Sequence, residues 1–224
     1  MNVVYVGTRN LYQAMMPSIR SLLDHNHVDR LYLVIEDDRF PGDIPGVDVR
    51  VINVSDQKYF GPDSANIGTR FSYMCMMRVT YADILDCDRV ISLDCDTIIN
   101  DSLEPIFQMD LDGKWFAAVK EPFKTELYDR NYYNGGVIVY NLDQMRKDGA
   151  VAQLVDLLNR EPLAFIDQDA LSRFTEKSTE LPVRYNETMF TGWTDNPAVV
   201  HYAAIGDWFT TKRMARIEYL DRYR

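Results

Sequence analysis

The sequence predicts an α/β fold: a single domain built on a mostly parallel central sheet with helices on both faces. Three observations lead there. Short β-branched runs alternate with segments of helical spacing along nearly the whole chain. The 224 residues, 46% apolar and 26% charged, suit one domain that can bury about 70% of its unfolded surface. Finally, no Pro/Gly/Ser-rich linker and no internal repeat divides the chain.

The elements follow in order. Asn2–Val6 is apolar and stops at Gly7, a first strand. Met15, Met16, Ile19, Leu22 and Leu23 recur at helical spacing, so residues 15–23 read as a helix with Pro17 in its first turn. Residues 30–35 and 47–54 are strands, separated by a turn holding Pro41, Gly42, Pro45 and Gly46. The polar stretch 55–70 is a loop. Residues 71–85 form a helix whose apolar face is Phe71, Met74, Met77, Tyr81, Ile84 and Leu85. Residues 89–93 are a buried strand, and 116–119 and 136–140 two more. Residues 142–158 are helical with a break near Gly149, 167–174 form a short helix, and 199–203 a late strand. In a sheet of this kind ligands bind at the carboxyl ends of the strands.

Charge and cysteine usage exclude several classes of function. Lys and Arg total 24 against 34 Asp and Glu, net −10, which excludes a general nucleic-acid binder. An anionic substrate would need a divalent cation or a few placed arginines. The three cysteines, Cys75, Cys87 and Cys95, form no C-x-x-C and no disulfide framework, and the only histidines are His25, His27 and His201. Free thiols in a reducing compartment are expected, and no zinc site. No signal peptide and no run of 18 apolar residues is present, so a cytoplasmic protein without a transmembrane segment is expected.

Four motifs can hold chemistry. In Val90-Ile91-Ser92-Leu93-Asp94-Cys95-Asp96-Thr97, two carboxylates leave an apolar strand. The spacing alone says little: 25 Asp give roughly three Asp-x-Asp pairs by chance, and the chain has four. Only the pair at 94/96 ends a buried strand, where unpaired carboxylates are costly. It reads either as a solvated turn or as an oxygen clamp for Mg²⁺ or Mn²⁺. Asp-x-Asp-x-Thr also fits the haloacid-dehalogenase-like phosphatases, with Asp94 as nucleophile. Asn134-Gly135-Gly136 opens a strand, as a bulge or as a close backbone approach. Asp167-Gln168-Asp169 starts a helix, with Asp167 as cap or as functional acid. His201 ends an apolar strand, as a core residue or as a ligand.

Together and in this order, the blocks from Tyr81 to Asp96, Asn134 to Val137 with Asn141-Leu142, Asp167 to Asp169, Leu181 to Asn186 and His201-Tyr202 resemble glycosyltransferase family 8. These are GT-A-fold, Rossmann-like retaining enzymes with nucleotide-sugar donors. The likeness spans residues 2 to about 208, which makes 1–208 the GT-A domain and 209–224 a helical tail. The resemblance implies a hexosyltransferase moving glucose or galactose from a UDP-sugar onto a carbohydrate or protein acceptor, as a monomer or homodimer. It gives Asp94, Asp96 and His201 as ligands of Mn²⁺, with Mg²⁺ as the alternate. Val6, Thr8 and Asn10 would meet the nucleobase and ribose, with Tyr12 stacking because Leu11 stands where the family has an aromatic. Arg78, Cys95, Asn134 and Gly135 would border the donor, Asp167 would bond a sugar hydroxyl, and Gln168 would lie beside the anomeric carbon. The family follows its histidine with Gly and Lys-Pro-Trp, whose Lys grips the diphosphate. This chain has Ala204-Ile205-Gly206-Asp207-Trp208 and no Lys there, leaving Lys212, the cation alone, or a catalytically silent sugar-nucleotide binder. Trp193, Tyr132 and Tyr133 are candidate platforms for an acceptor sugar.

Overall fold

The computed structural model describes residues 1–204 and 215–223. In chain order the elements are β1 (Asn2–Val6), α1 (Tyr12–His25), β2 (Arg30–Ile35), β3 (Asp48–Asn53), α2 (Tyr73–Met77), α3 (Tyr81–Ile84), β4 (Arg89–Leu93) and β5 (Thr97–Ile99). There follow α4 (Glu104–Phe107), β6 (Phe116–Lys120), α5 (Pro122–Tyr128), β7 (Tyr133–Asn141), α6 (Leu142–Lys147), α7 (Ala150–Arg160), α8 (Ile166–Leu171), β8 (Ser178–Glu180), β9 (Val199–His201) and α9 (Ile217–Leu220).

Seven strands form one sheet in the order β3-β2-β1-β4-β7-β6-β8. The β3, β2, β1 and β4 neighbours are parallel, β7 runs against both β4 and β6, and β8 is parallel to β6. The mostly parallel α/β expectation therefore holds, with one reversed strand at the centre. Successive residues point to opposite faces. Val4, Val6, Tyr32 and Val34 pack with Met74, Met77, Tyr81, Leu154 and Leu158 from the α2, α3 and α7 side. Val3, Tyr5, Leu31 and Leu33 pack with Met15, Ile19 and Leu22 of α1 and with Ile106 of α4. Burial on both faces is why these strands read as continuous apolar runs rather than alternating ones.

Some boundaries differ. Helix α1 starts at Tyr12, so Pro17 sits inside it rather than in its first turn. The 71–85 helix is interrupted by a 3-10 turn at Arg78–Thr80. The 142–158 helix does break at Gly149, whose φ of 62° is left-handed. The late strand stops at His201. Strands β5 and β8 and helices α4 and α5 go beyond the sequence expectations, because three-residue strands, a four-residue helix and a helix opening on Pro122 carry little periodicity.

Strand β5 matters most for function. It leaves the sheet just after Asp96 and pairs antiparallel with β9, placing Thr97 opposite His201. Leu220 packs on this ribbon with Ala14, Ile98, Val200 and Tyr202. Of the expected helical tail, 217–220 is helical, while Lys212, Arg213 and the 206–208 segment lie outside the described residues. No described helix is long and apolar enough to cross a membrane.

Candidate active site

Asp94 and Asp96 stand on the turn between β4 and β5, at the carboxyl edge of the sheet. Asp94 N donates to Gly136 O at 2.9 Å, Thr97 Oγ1 donates to Asp94 O at 2.8 Å, and Tyr202 N donates to Asp96 O at 2.9 Å. The turn is thus fixed by both β7 and β9. His201 Nε2 lies 3.2 Å from Asp96 Oδ1 and 3.5 Å from Asp94 Oδ2. A ligand atom from each of the three residues falls within 4.8 Å of the others. Burial would raise the Asp96 carboxyl, but His201 and Arg78 outweigh it and hold the group below its ordinary value.

A chain of hydrogen bonds orients the imidazole. Glu121, 2% exposed, accepts from Asn134 Nδ2 at 2.7 Å. A carboxylate only accepts, so Asn134 must turn its Oδ1 the other way, where it takes Asn186 Nδ2 at 2.8 Å and Gly136 N at 3.0 Å. That in turn aims Asn186 Oδ1 at His201 Nδ1, 2.9 Å away. An amide oxygen cannot donate, so Asn186 Oδ1 accepts from Nδ1 and Nε2 is the ring nitrogen turned toward the two aspartates. This is the orientation a metal-ligating imidazole needs. Gly136 makes the packing feasible: a Cβ there would stand 2.1 Å from His201 Nδ1. The paired glycines are both a close approach and a register irregularity: neither has positive φ, and across them the β6–β7 pairing shifts from Ala118–Ile138 to Lys120–Tyr133.

Arg78 is a second hub. Its guanidinium contacts Asp94, donates from Nη1 to Gly135 O at 2.9 Å, and lies 3.3 Å from Asp167 Oδ2. Asp167 is 7% exposed, and burial pushes its carboxyl up against the opposing pull of Arg78. Gln168 Oε1 accepts from Gly135 N at 2.8 Å. Both residues follow Ile166, a buried β-branched residue at φ 29°, a backbone conformation costing about 1–3 kcal/mol.

Two cavities meet here. One, of about 580 Å³, is walled by Val6, Gly7, Thr8, Leu11, Phe71, Cys75, Arg78 and Cys95. The other, of about 480 Å³, is walled by Glu121, Lys124, Asn134, Phe165, Gln168, Phe190 and His201. Arg70, Phe71, Asp94, Asp96 and Ala204 belong to both. Burial pushes the Cys75 thiol up to about 11 and Cys95 up to about 12, so neither is a thiolate nucleophile at neutral pH.

The geometry sorts the expected residues. Val6, Thr8, Arg78, Asp94, Cys95, Asp96, Asn134, Gln168 and His201 border the cleft. Gly135 and Asp167 stand behind that wall, joined to it through Arg78 and Gln168. Asn10 is exposed on the 3-10 turn Arg9–Leu11 and is not part of the wall. Tyr12 is not in position to stack in the larger cavity. It is 6% exposed, donates to Asp37 Oδ2 at 3.0 Å, and lies against Phe40, because α1 begins at Tyr12 and turns its ring toward the 37–40 loop. Leu11 and Phe71 border that cavity instead. Tyr132 and Tyr133 are buried, while Trp193 is 47% exposed. Thr97, which completed the phosphatase pattern, is buried and bonded to Ser18 and Asp94 O. Sequence reasoning passed over Glu121 and gave Asn186 no role. A polar residue just past a strand end, as in Lys120-Glu121-Pro122, was the available signal.

A mostly parallel sheet with one reversed strand inside it and helices on both faces is the fold of the GT-A glycosyltransferase LgtC. LgtC, solved as an active-site mutant, superposes with a TM-score of 0.81 at 18% identity over 100% of this chain and 95% of its own. The galactosyltransferase LgtC with donor and acceptor sugar analogs gives 0.76 at 18% identity, covering 100% and 94%. GlyE of Streptococcus pneumoniae gives 0.76 at 21%, covering 99% of this chain and 59% of its own. The chain belongs to glycosyl transferase family 8, whose profile matches residues 2–208. Among curated proteins, a probable glycosyl transferase Gly of Streptococcus gordonii is 25% identical over 84% of this chain and 30% of its own length. Glycosyltransferase GlyA of S. pneumoniae is 25% identical over 89% and 31%. The chain thus spans about a third of the length of these relatives.

Proposed function

We propose that the chain is a retaining hexosyltransferase that transfers glucose or galactose from a UDP-sugar to an acceptor hydroxyl and depends on Mn²⁺, with Mg²⁺ as the alternate. The observation that carries this is the Asp94–Asp96–His201 cluster, its imidazole oriented with Nε2 toward both carboxylates, at the junction of two cavities. Two carboxylates and one imidazole fit such a cation. When bound, it would supply Lewis-acid stabilisation of the negative charge that grows on the departing diphosphate.

The chain's own residues do the rest. The larger cavity, between Val6, Thr8 and Phe71, suits the nucleoside, and the smaller, to which Glu121, Lys124, Asn134 and Gln168 contribute, suits the transferred sugar. LgtC, whose structure holds donor and acceptor sugar analogs, supports a cleft shared in this way. Gln168, with its oxygen tethered to Gly135 N, and Asn134 orient the sugar. Asp167 holds Arg78 in place from behind the cavity wall. An amide is a poor nucleophile, so the acceptor enters on the face from which the phosphate leaves, and the leaving oxygen helps to take the acceptor proton. Phe190, Phe165 and Lys124 at the rim suit a carbohydrate acceptor, which presents one apolar face and many hydroxyls.

Incubation with a panel of nucleotide sugars, read by mass spectrometry, tests the reading. Release or transfer of hexose from UDP-glucose or UDP-galactose should require Mn²⁺ and vanish in an Asp94→Asn, Asp96→Asn double variant. Full turnover by that variant would refute it.

A further inference from the structure

Among the described residues, three cations line the joined cavities: Arg70 and Arg78 border one, Arg70 and Lys124 the other. Two are committed. Arg78 is held by Asp94, Asp167 and Gly135 O. Lys124 Nζ lies 2.9 Å from Glu121 Oε2 and over the rings of Phe165 and Tyr132. Arg70 makes no ion pair or hydrogen bond among the described residues; its guanidinium rests over Phe71 at 4.7 Å and Phe165 at 5.3 Å. Ring contacts steady the guanidinium plane and leave its in-plane N–H donors unused.

We propose that Arg70 grips the diphosphate of the donor, an inference that rests on the nucleotide-sugar reading above. A donor of that class has a nucleoside at one end, a sugar at the other and two phosphates between them. Laid across the two cavities, it must pass its anionic link over the wall they share, and Arg70 stands on that wall beside Asp94 and Asp96. The two carboxylates repel phosphate and serve it only through a bound cation. A guanidinium fork matches phosphate oxygens bidentately and is charged at every working pH. Among the described residues, the uncommitted charge at the junction is Arg70.

Calorimetric titration of the full chain with UDP and with UMP, each with Mn²⁺, separates the outcomes. For Arg70→Ala, UDP affinity should fall about ten-fold or more and UMP affinity about three-fold or less, with Arg70→Lys recovering part of the UDP loss. Arg70 is exposed, and circular dichroism should confirm an unchanged fold. Wild-type UDP affinity in Arg70→Ala, or equal losses for UDP and UMP, would overturn the role of Arg70 while leaving the transferase reading intact. A wild-type chain that binds no UDP in the presence of Mn²⁺ would sink the donor reading, and this inference with it.

Discussion

Replacing Gly136 with alanine puts a methyl carbon 2.1 Å from His201 Nδ1 and 2.2 Å from Cε1. Ordinary contact begins at 3.4 Å, so the ring must retreat by about 1.3 Å, the difference between the two distances. The encroached atoms belong to a stiff ring at 5% exposure, not to the end of a flexible chain. Such a retreat breaks the 2.9 Å bond from Nδ1 to Asn186 and carries Nε2 away from Asp94 and Asp96. Overpacking of this kind costs about 1–3 kcal/mol of stability, which the fold should survive. Disturbing a ligand's support weakens metal binding by 10–100-fold, so Gly136→Ala should lose on the order of 100-fold in Mn²⁺ affinity. Gly135→Ala is the control: its Cβ meets Gln168 Cγ at 3.1 Å and Arg78 Nη1 at 3.2 Å, side-chain atoms that need yield only slightly. Manganese titration by calorimetry, with urea unfolding alongside, reads both effects. A folded Gly136→Ala protein with wild-type Mn²⁺ affinity would refute the claim that His201 sits against that backbone as a ligand.

Other outcomes follow from the same geometry. Asn186→Leu removes the acceptor for His201 Nδ1 and the donor to Asn134, and should weaken Mn²⁺ binding about 10–100-fold by calorimetry. Arg216→Ala strips Glu187, 0% exposed, of a partner 3.1 Å away. Chemical denaturation should show a loss of about 3 kcal/mol, part of which Glu187→Gln restores in the double variant. Acid should destabilise the fold. Lys177 and Trp115 hold the Asp148 carboxyl below its ordinary value, Arg9 does the same for Asp37, and Arg184 for Asp101. A depressed folded-state value means stability that is present above the unfolded value, about 3.9, and lost as pH falls through the folded one. The urea midpoint should therefore drop below about pH 4, and less so in Asp148→Asn. A midpoint that rises on acidification would contradict this.

The parts of the fold written in local pattern were legible. Strands β1, β2, β4 and β7 are buried on both faces and so leave unbroken apolar runs, and Gly149 marks a real helix break. The Asp94, Asp96 and His201 grouping was legible because motif order substitutes for geometry when a family is resembled. What escaped depends on tertiary contact alone. Tyr12 has the residue type to stack on a base, but helix α1 begins there and carries its ring toward Phe40. Glu121 has no spacing signature, and its part in setting the imidazole emerges only through two intervening amides. The split of the 71–85 segment at Arg78 was equally hidden, because helical periodicity continues across the 3-10 turn.

The ribbon of β5 and β9 is three rungs long, and His201 occupies the rung opposite Thr97. A slip of one rung would send the imidazole to the reverse side and offer Val200 to the acidic turn in its stead. Correct threading of this short ladder and assembly of the Asp94–Asp96–His201 cluster are therefore one event. In a misthreaded chain the imidazole would not reach the two carboxylates, and a site for the proposed ion would be incomplete.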